Sequence, residues 1–287
     1  MSTAKTIWTV IDIIRWGTEY FSGKGVDSPR LTIELILSAT LKSSRLQLYL
    51  MHDRPLTQAE LGILREACKR RGNREPLQYI LGNTGFYGLD FDVNPSVLIP
   101  RPETETLVDV ILQYCQSLTG EIHIHDLGTG SGCIAIALAH HLRHKDNVVI
   151  HAYDISESAL KIAQSNAQKH DVNIHFSVKD ILQYKEPMQG ILVSNPPYIG
   201  KQEYVELDPE LTFEPRIALT DDGNGMAYYE AIAGIITRNR DRIPAFFLEI
   251  GYGQADDVTT LFAPLSNAIH RIHDLSGIER VIWGLVN

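Results

Sequence analysis

Residues 122–132 read IHIHDLGTGSG and run without a break into CIAIALAHHL at 133–142. The first six residues carry isoleucines at alternate positions and close on Asp126 and Leu127, which is a strand pattern. Three glycines, Gly128, Gly130 and Gly132, then let the backbone reach positive φ and approach a ligand closely. A strand, a glycine turn and an apolar helix in that order open a βαβ unit, whose ligand sits in the crevice beyond the strand's C-terminal end. The alternation continues downstream. A helix at 103–118 precedes this strand; VVIHAY, the helix SESALKIAQSNAQ, and strands NIHFSV, GILVSN, AFFLEI and RVIWGLV follow it. Such alternation predicts an α/β fold, an open and mainly parallel Rossmann-like sheet with helices on both faces.

Upstream the pattern is helical. Ile7 to Phe21 places apolar residues at helical spacing, with Asp12, Arg15 and Glu19 among them and no small-residue cleavage site. This predicts an amphipathic helix and not a signal peptide. Ser28 before Pro29 predicts an N-cap and first-turn proline for a helix over 29–41. Thr57 with Glu60 predicts a capping box for a third helix ending in Lys69, Arg70 and Arg71. Around Gly72 to Pro76 the pattern breaks. The next stretch, QYILGNTGFYGLDFDVNPSVLIP, is rich in aromatic and β-branched residues punctuated by Gly82, Gly85 and Gly88, and predicts a hairpin. The expected organisation is a helical bundle over 1–73, a β-hairpin linker over 74–100 and an α/β domain over 101–287.

Composition sets limits on function. Of the 287 residues, 44% are hydrophobic and 21% charged. No uninterrupted apolar stretch is long enough to span a bilayer, so a cytoplasmic protein without a membrane role is expected. Cys68, Cys115 and Cys133 form no C-x-x-C pair, which argues against a zinc ribbon or a disulfide framework. His140, His141 and His144 are the only tight histidine cluster, and they fall near a helix C-terminus that favours positive charge, so no metal site is expected. The net charge of −9 is uneven: 12 Lys and Arg stand against 8 Asp and Glu through Glu75, and 14 against 27 beyond it. The larger segment repels phosphate backbones, so stable nucleic-acid binding is not expected.

The glycine loop is G-x-G-x-G, without the sixth-position glycine of the dinucleotide fingerprint. The second strand ends in Tyr153-Asp154, where an acidic side chain meets a ribose diol. Together they suit an adenosyl ligand that carries a sulfonium and no phosphate. Asp180 and Ile181, after the third strand, stand where the edge and face of an adenine would lie; Asp180 has the alternative of capping a turn.

The fourth strand ends in Asn195-Pro196-Pro197-Tyr198. Two prolines cannot continue a central strand, since neither donates an N–H. An amide nitrogen is a poor nucleophile because its lone pair is delocalised. If Asn195 Oδ1 and the Pro196 carbonyl each accept one hydrogen of an NH2 group, its plane is fixed and its lone pair faces an activated methyl. The prolines hold that carbonyl rigidly, and Tyr198 packs on the planar acceptor beside the cationic sulfur. The clasp suits any planar NH2, so an adenine N6, cytosine N4 or guanine N2 amino group is the alternative acceptor; that would require base flipping and a basic groove.

With those residues in hand the chain resembles the release-factor glutamine methyltransferases, the HemK or PrmC family, from end to end. The resemblance rests on DLGTGSGCIAIALA, YDIS and SNPPYI, on FYGLDFDVNPSVLIPRPETE at 86–105, and on Glu214-Pro-Arg-Ile-Ala-Leu. Gly223-Asn-Gly-Met-Ala-Tyr-Tyr, Leu248-Glu-Ile-Gly and Asp274-Leu-Ser-Gly-Ile-Glu-Arg280 extend it. It implies a helical N-terminal domain, a hairpin linker and a seven-stranded class I S-adenosylmethionine-dependent methyltransferase domain whose final strand inserts antiparallel. It also implies transfer from S-adenosyl-L-methionine, leaving S-adenosyl-L-homocysteine, to N5 of the glutamine in the Gly-Gly-Gln loop of class I peptide-chain release factors, by a monomer. By that resemblance Gly128, Thr129, Gly130, Ser131, Gly132 and Asp154 hold the cofactor together with Asn195, and Asp180 or Ile181 flanks adenine. Asn195, Pro196, Pro197 and Tyr198 clasp the amide, while Arg101 and Pro102 through Glu105, Glu103 included, border the active site. A relative acting on a ribosomal-protein glutamine is the nearer alternative. Thr32-Ile33-Glu34 departs from the family, where a small residue stands between two polar ones.

Overall fold

The computed structural model describes residues 7–145 and 147–287. Residues 1–6 of the expected N-terminal domain lie outside the described residues. The chain divides into two compact units, Met1–Gly82 with Pro209–Phe213, and Asn83–Asp208 with Glu214–Asn287.

The first unit is helical: α1 Val10–Gly23, α2 Pro29–Leu41, α3 Arg45–Leu50, α4 Gln58–Gly72 and α5 Leu77–Leu81. Capping boxes open three of them. Thr9 pairs with Asp12, Ser44 with Gln47, and Thr57 with Glu60, whose Oε2 accepts from the Thr57 N–H at 2.8 Å. Each box satisfies donors that the first helical turn leaves orphaned. Ser28 precedes α2 as expected, yet its side chain makes no cap; its backbone is left-handed at φ 47°, and Pro29 alone sets the helix start. Helix α3 was not anticipated, although Ser44 and Gln47 spell its start. The core gathers Ile14, Phe21, Ile33, Leu37 and Leu48. The family departure is built in here: Ile33 is fully buried, and the buried Glu34 carboxylate accepts from Arg30 at 3.0 Å, from Arg45 at 2.6 Å and from the Tyr49 hydroxyl. Burial would raise its pKa, but those hydrogen bonds outweigh burial and hold it below the usual carboxylate range.

The second unit opens with the antiparallel hairpin β1 Asn83–Phe86 and β2 Leu89–Asp92. Its two-residue turn has positive φ at both Tyr87 and Gly88, the conformation whose twist matches paired strands. A 3-10 turn, Pro102–Thr104, then leads into α6 Glu105–Gln116. The sheet elements and their crossovers are β3 Ile122–Leu127, α7 Cys133–Leu142, β4 Val148–Asp154, α8 Glu157–Lys169, β5 His175–Val178 and β6 Ile191–Ser194. After them come α9 Lys201–Tyr204, α10 Arg216–Leu219, α11 Ala227–Arg238, β7 Ala245–Glu249, α12 Ala255–Phe262, β8 Ile269–His273 and β9 Glu279–Leu285.

The seven strands lie in the order β5-β4-β3-β6-β7-β9-β8, parallel except for β9, which inserts antiparallel between β7 and β8. Strand β8, absent from the sequence reading, completes the seven. Strands β6 and β7 are buried at every position, as expected of parallel strands covered on both faces. Each fully buried side chain such as Phe246 or Phe247 contributes about 2–3 kcal/mol of transfer free energy. One face packs α6, α7 and the hairpin phenylalanines; the other packs α11 and α12. From β3 the chain proceeds outward to β4 and β5 and then returns to place β6 on the other side of β3. That reversal is the topological switch point, where α/β sheets bind ligands.

An unusual row of rings crosses the sheet. His125 lies opposite His151, and His151 opposite His175, in the strand register. The His125 and His151 rings stack at 4.8 Å, and His151 and His175 at 5.1 Å.

Candidate active site

The switch point brings the two sequence motifs together. Gly128 follows β3 and Asn195 follows β6, and the strand ends are joined directly: Ser194 Oγ donates to the Leu127 carbonyl at 2.6 Å. Between them opens a cleft, placed where open α/β sheets bind small molecules. Gly128, Gly130, Asp154, Asp180, Ile181, Asn195 and Pro197 line it.

Asp154 organises the floor. Its Oδ2 accepts from the Gly130 N–H at 2.9 Å and its Oδ1 from the Ser156 N–H at 2.9 Å. Burial raises its carboxyl above the ordinary value, and those backbone donors oppose the rise. Gly128 and Gly130 sit at φ 80° and 56°, which only glycine adopts freely. Ile181 is buried against the loop, its Cδ1 3.8 Å from where a Gly128 Cβ would stand. Asp180 spends its carboxylate on the 3-10 turn that follows, accepting from the Leu182 N–H at 2.9 Å and the Gln183 amide at 2.8 Å.

Thr129, Ser131 and Gly132 are not among the lining residues. The Thr129 hydroxyl donates to buried Asp126 at 2.6 Å. The Ser131 carbonyl accepts from Asn166 Nδ2 at 2.9 Å, and the same buried amide pairs with the backbone of Asp92, tying the hairpin to the glycine loop. A Cβ on Gly132 would stand 2.9 Å from Ile136 and 3.1 Å from Ala163, so this glycine serves the packing of α7 on α8.

The Asn195–Tyr198 turn is clamped from behind. The Tyr198 carbonyl accepts from Gln254 Nε2 at 2.9 Å. A Cβ on Gly225 would lie 2.2 Å from that carbonyl oxygen, and one on Gly251 would lie 2.8 Å from the Tyr198 ring, so both glycines make room for the turn. This gives the Gly223–Tyr229 and Leu248–Gly251 stretches a physical role. Neither Tyr198, which is half-buried, nor Pro196, which is buried, lines the cleft. Asn195 Nδ2 donates to the buried Thr104 hydroxyl at 3.2 Å. Arg101 pairs with buried Glu214, which also accepts from the Ile99 N–H at 3.0 Å, and Glu103 is exposed. Neither Arg101 nor Glu103 lines the cleft. The sequence reading missed Ser96, Leu98, Pro215, Ile217 and Tyr228 as cleft walls, although three of the family stretches contain all five.

The donor set decides what the cleft can hold. Asp154 and Asp180 line it, and its one lining cation, Lys179, is paired with Glu186. A pyrophosphate would meet carboxylates, whereas an adenosyl group with a cationic sulfur is compatible with them. Among the described residues no group of His, Cys, Asp and Glu stands where it could hold a metal ion. Fold and cleft thus define a class I S-adenosylmethionine-dependent methyltransferase.

Comparison with known proteins agrees and narrows the class. Residues 12–82 match the PrmC N-terminal domain and residues 104–226 the methyltransferase small domain. The chain is 37% identical over 292 residues to the release factor glutamine methyltransferase of Geobacter sulfurreducens, covering 100% of both. It is 41% identical over 239 residues to the protein of the same name from Chlorobaculum tepidum, covering 79% of this chain and 80% of that one. This chain belongs to the release factor glutamine methyltransferase family. Among solved structures, the hMettl16 catalytic domain in complex with an RNA hairpin shares the fold at a TM-score of 0.55 and 12% identity, over 81% of this chain and 84% of that one.

Proposed function

We propose that this chain methylates the N5 side-chain amide of the glutamine in the Gly-Gly-Gln loop of class I peptide-chain release factors, supporting translation termination, and that it does so as a cytoplasmic monomer. S-adenosylmethionine supplies a methyl group on a cationic sulfur. Gly128, Gly130 and Asp154 hold it, Ile181 packs on its adenine, and Asn195 Oδ1 with the Pro196 carbonyl accepts the two hydrogens of the glutamine NH2. Both acceptors fix the amide plane, so orientation does most of the catalysis. No strong base is needed before attack, because the nitrogen becomes acidic as it gains the methyl group and then loses its proton.

The observation that carries this reading is the Asn195 side chain at the switch point, with its NH2 turned onto Thr104. In that orientation its oxygen is left for the methyl acceptor in the cleft that Gly128, Gly130 and Asp154 line. The surplus of 27 acidic over 14 basic residues after Glu75 favours a protein acceptor over a phosphate backbone. Asn195→Ala tests the clasp: cofactor affinity by calorimetry stays within about twofold, while kcat on a release factor falls about 100-fold or more. Wild-type turnover by that variant would remove the clasp.

A further inference from the structure

The Asn195 side chain carries an acceptor and a two-hydrogen donor on one planar group, and half a turn about its last bond exchanges them. One orientation offers oxygen to an incoming NH2, and the other sets N–H against N–H. The 3.2 Å contact from Nδ2 to the Thr104 hydroxyl does not by itself choose between them, because a hydroxyl donates as readily as it accepts. The choice falls to whatever takes the hydroxyl's own hydrogen. Thr104 is buried on the 3-10 turn before α6, and the buried carboxylate of Glu249, the last residue of β7, is the neighbouring group able to take that hydrogen. An ionised carboxylate has no hydrogen to give.

We propose that Thr104 and Glu249 are positioning residues: Glu249 takes the hydrogen of the Thr104 hydroxyl, Thr104 therefore accepts from Asn195 Nδ2, and Asn195 Oδ1 is held toward the methyl acceptor. This rests on the clasp reading of Asn195 given above. Glu249 is out of character for its strand, whose other residues are Ala245, Phe246, Phe247 and Leu248, all fully buried. It is 2% exposed, and its Oε2 has no hydrogen-bond partner among the described residues. A buried carboxylate left half-satisfied is costly, and packing alone would be better served by an apolar residue.

Burial pushes the Glu249 carboxyl up to about 7; Thr104, Arg280 and Arg101 favour its charge and Glu103 opposes it. Tyr198, Tyr229 and the Cys133 thiol also face it, and burial keeps all three protonated. Below that pH Glu249 becomes a donor itself, the Thr104 hydroxyl is free to turn, and both Asn195 orientations are allowed.

The test uses the full chain with a release factor and S-adenosylmethionine. Thr104→Val should lower kcat about 10- to 100-fold while the KM for the factor and the cofactor Kd move by less than about twofold. Thr104→Ser, which restores the hydroxyl, should recover kcat to within about threefold of wild type. The double variant Thr104→Val with Asn195→Ala should be no slower than Asn195→Ala alone, since both changes act through one group. The wild type should show a rise in kcat between about pH 6 and 8, and Glu249→Gln should flatten it. Wild-type kcat in Thr104→Val while Asn195→Ala is inactive would overturn the positioning role and leave the clasp standing, as would a wild-type pH profile in Glu249→Gln. Full activity of Asn195→Ala would overturn the clasp and the positioning role together.

Discussion

Lowering the pH from 7.5 to 5 should destabilise this protein through one buried ring. His125 is 6% exposed on β3, its Nε2 lies 2.7 Å from the Gln189 carbonyl, and its Nδ1 lies 3.1 Å from the Tyr153 hydroxyl. The carbonyl can only accept, so Nε2 carries the hydrogen and Nδ1 accepts from the tyrosine. The neutral ring is fully satisfied. Burial, helped by the neighbouring His151 and His123, lowers its pKa to about 4, against an opposing contribution from the Gln189 carbonyl. The unfolded chain, with a histidine pKa of about 6.5, therefore binds a proton first as pH falls. Stability is unaffected above about pH 6.5, declines through the window between the two values and levels off below about pH 4. The shift is worth about 3 kcal/mol in full and about 2 kcal/mol by pH 5. Urea unfolding of wild type and His125→Gln at both pH values isolates it, because glutamine can serve the same two partners without titrating. Wild type should lose about 2 kcal/mol more than the variant between pH 7.5 and 5. Equal losses would refute the assignment, and a common loss would belong to other groups.

Two further changes probe separate parts of the molecule. Asp154→Ala removes both the acceptor that lines the cleft and the anchor of the Gly130 N–H, so cofactor affinity measured by calorimetry should weaken about 10- to 100-fold; unaltered binding would withdraw Asp154 from the cofactor site. Glu34→Ala unties α2 from α3, but the Arg30 and Arg45 side chains are 63% and 51% exposed and become hydrated once released. The expected cost in thermal or urea unfolding is therefore about 1–3 kcal/mol and not that of stranding a buried charge, and a larger loss would mean the arginines are held in place.

Local signals were the legible ones. The glycine loop, Asp154 and the Asn195–Tyr198 turn could be placed from sequence because each ends a strand whose apolar pattern is unmistakable, and the α/β alternation puts all three on one sheet edge. Strand β8 was missed because Ile269–His273 is an edge strand, where Arg271 and the histidines dilute the apolar signal. Helix α3 was missed for its six-residue length, despite its capping box. The segment 74–100 was expected to be a β-hairpin linker; within it Leu77–Leu81 is a helical turn, and the paired strands begin at Asn83. Contacts far apart in sequence left no trace. Thr104 and Asn195 are 91 residues apart, and nothing in either neighbourhood says that one hydroxyl orients the other's amide. Likewise Gly225 and Gly251 read as turn residues until Tyr198 is seen to occupy the space beside them.

Methyl transfer from labelled S-adenosylmethionine tests the central claim most directly. The acceptors are a class I release factor, the same factor with its Gly-Gly-Gln glutamine replaced, and duplex DNA. Label on the intact factor alone, lost with the glutamine, is the predicted result. Label on the DNA, or undiminished label on the substituted factor, would contradict it.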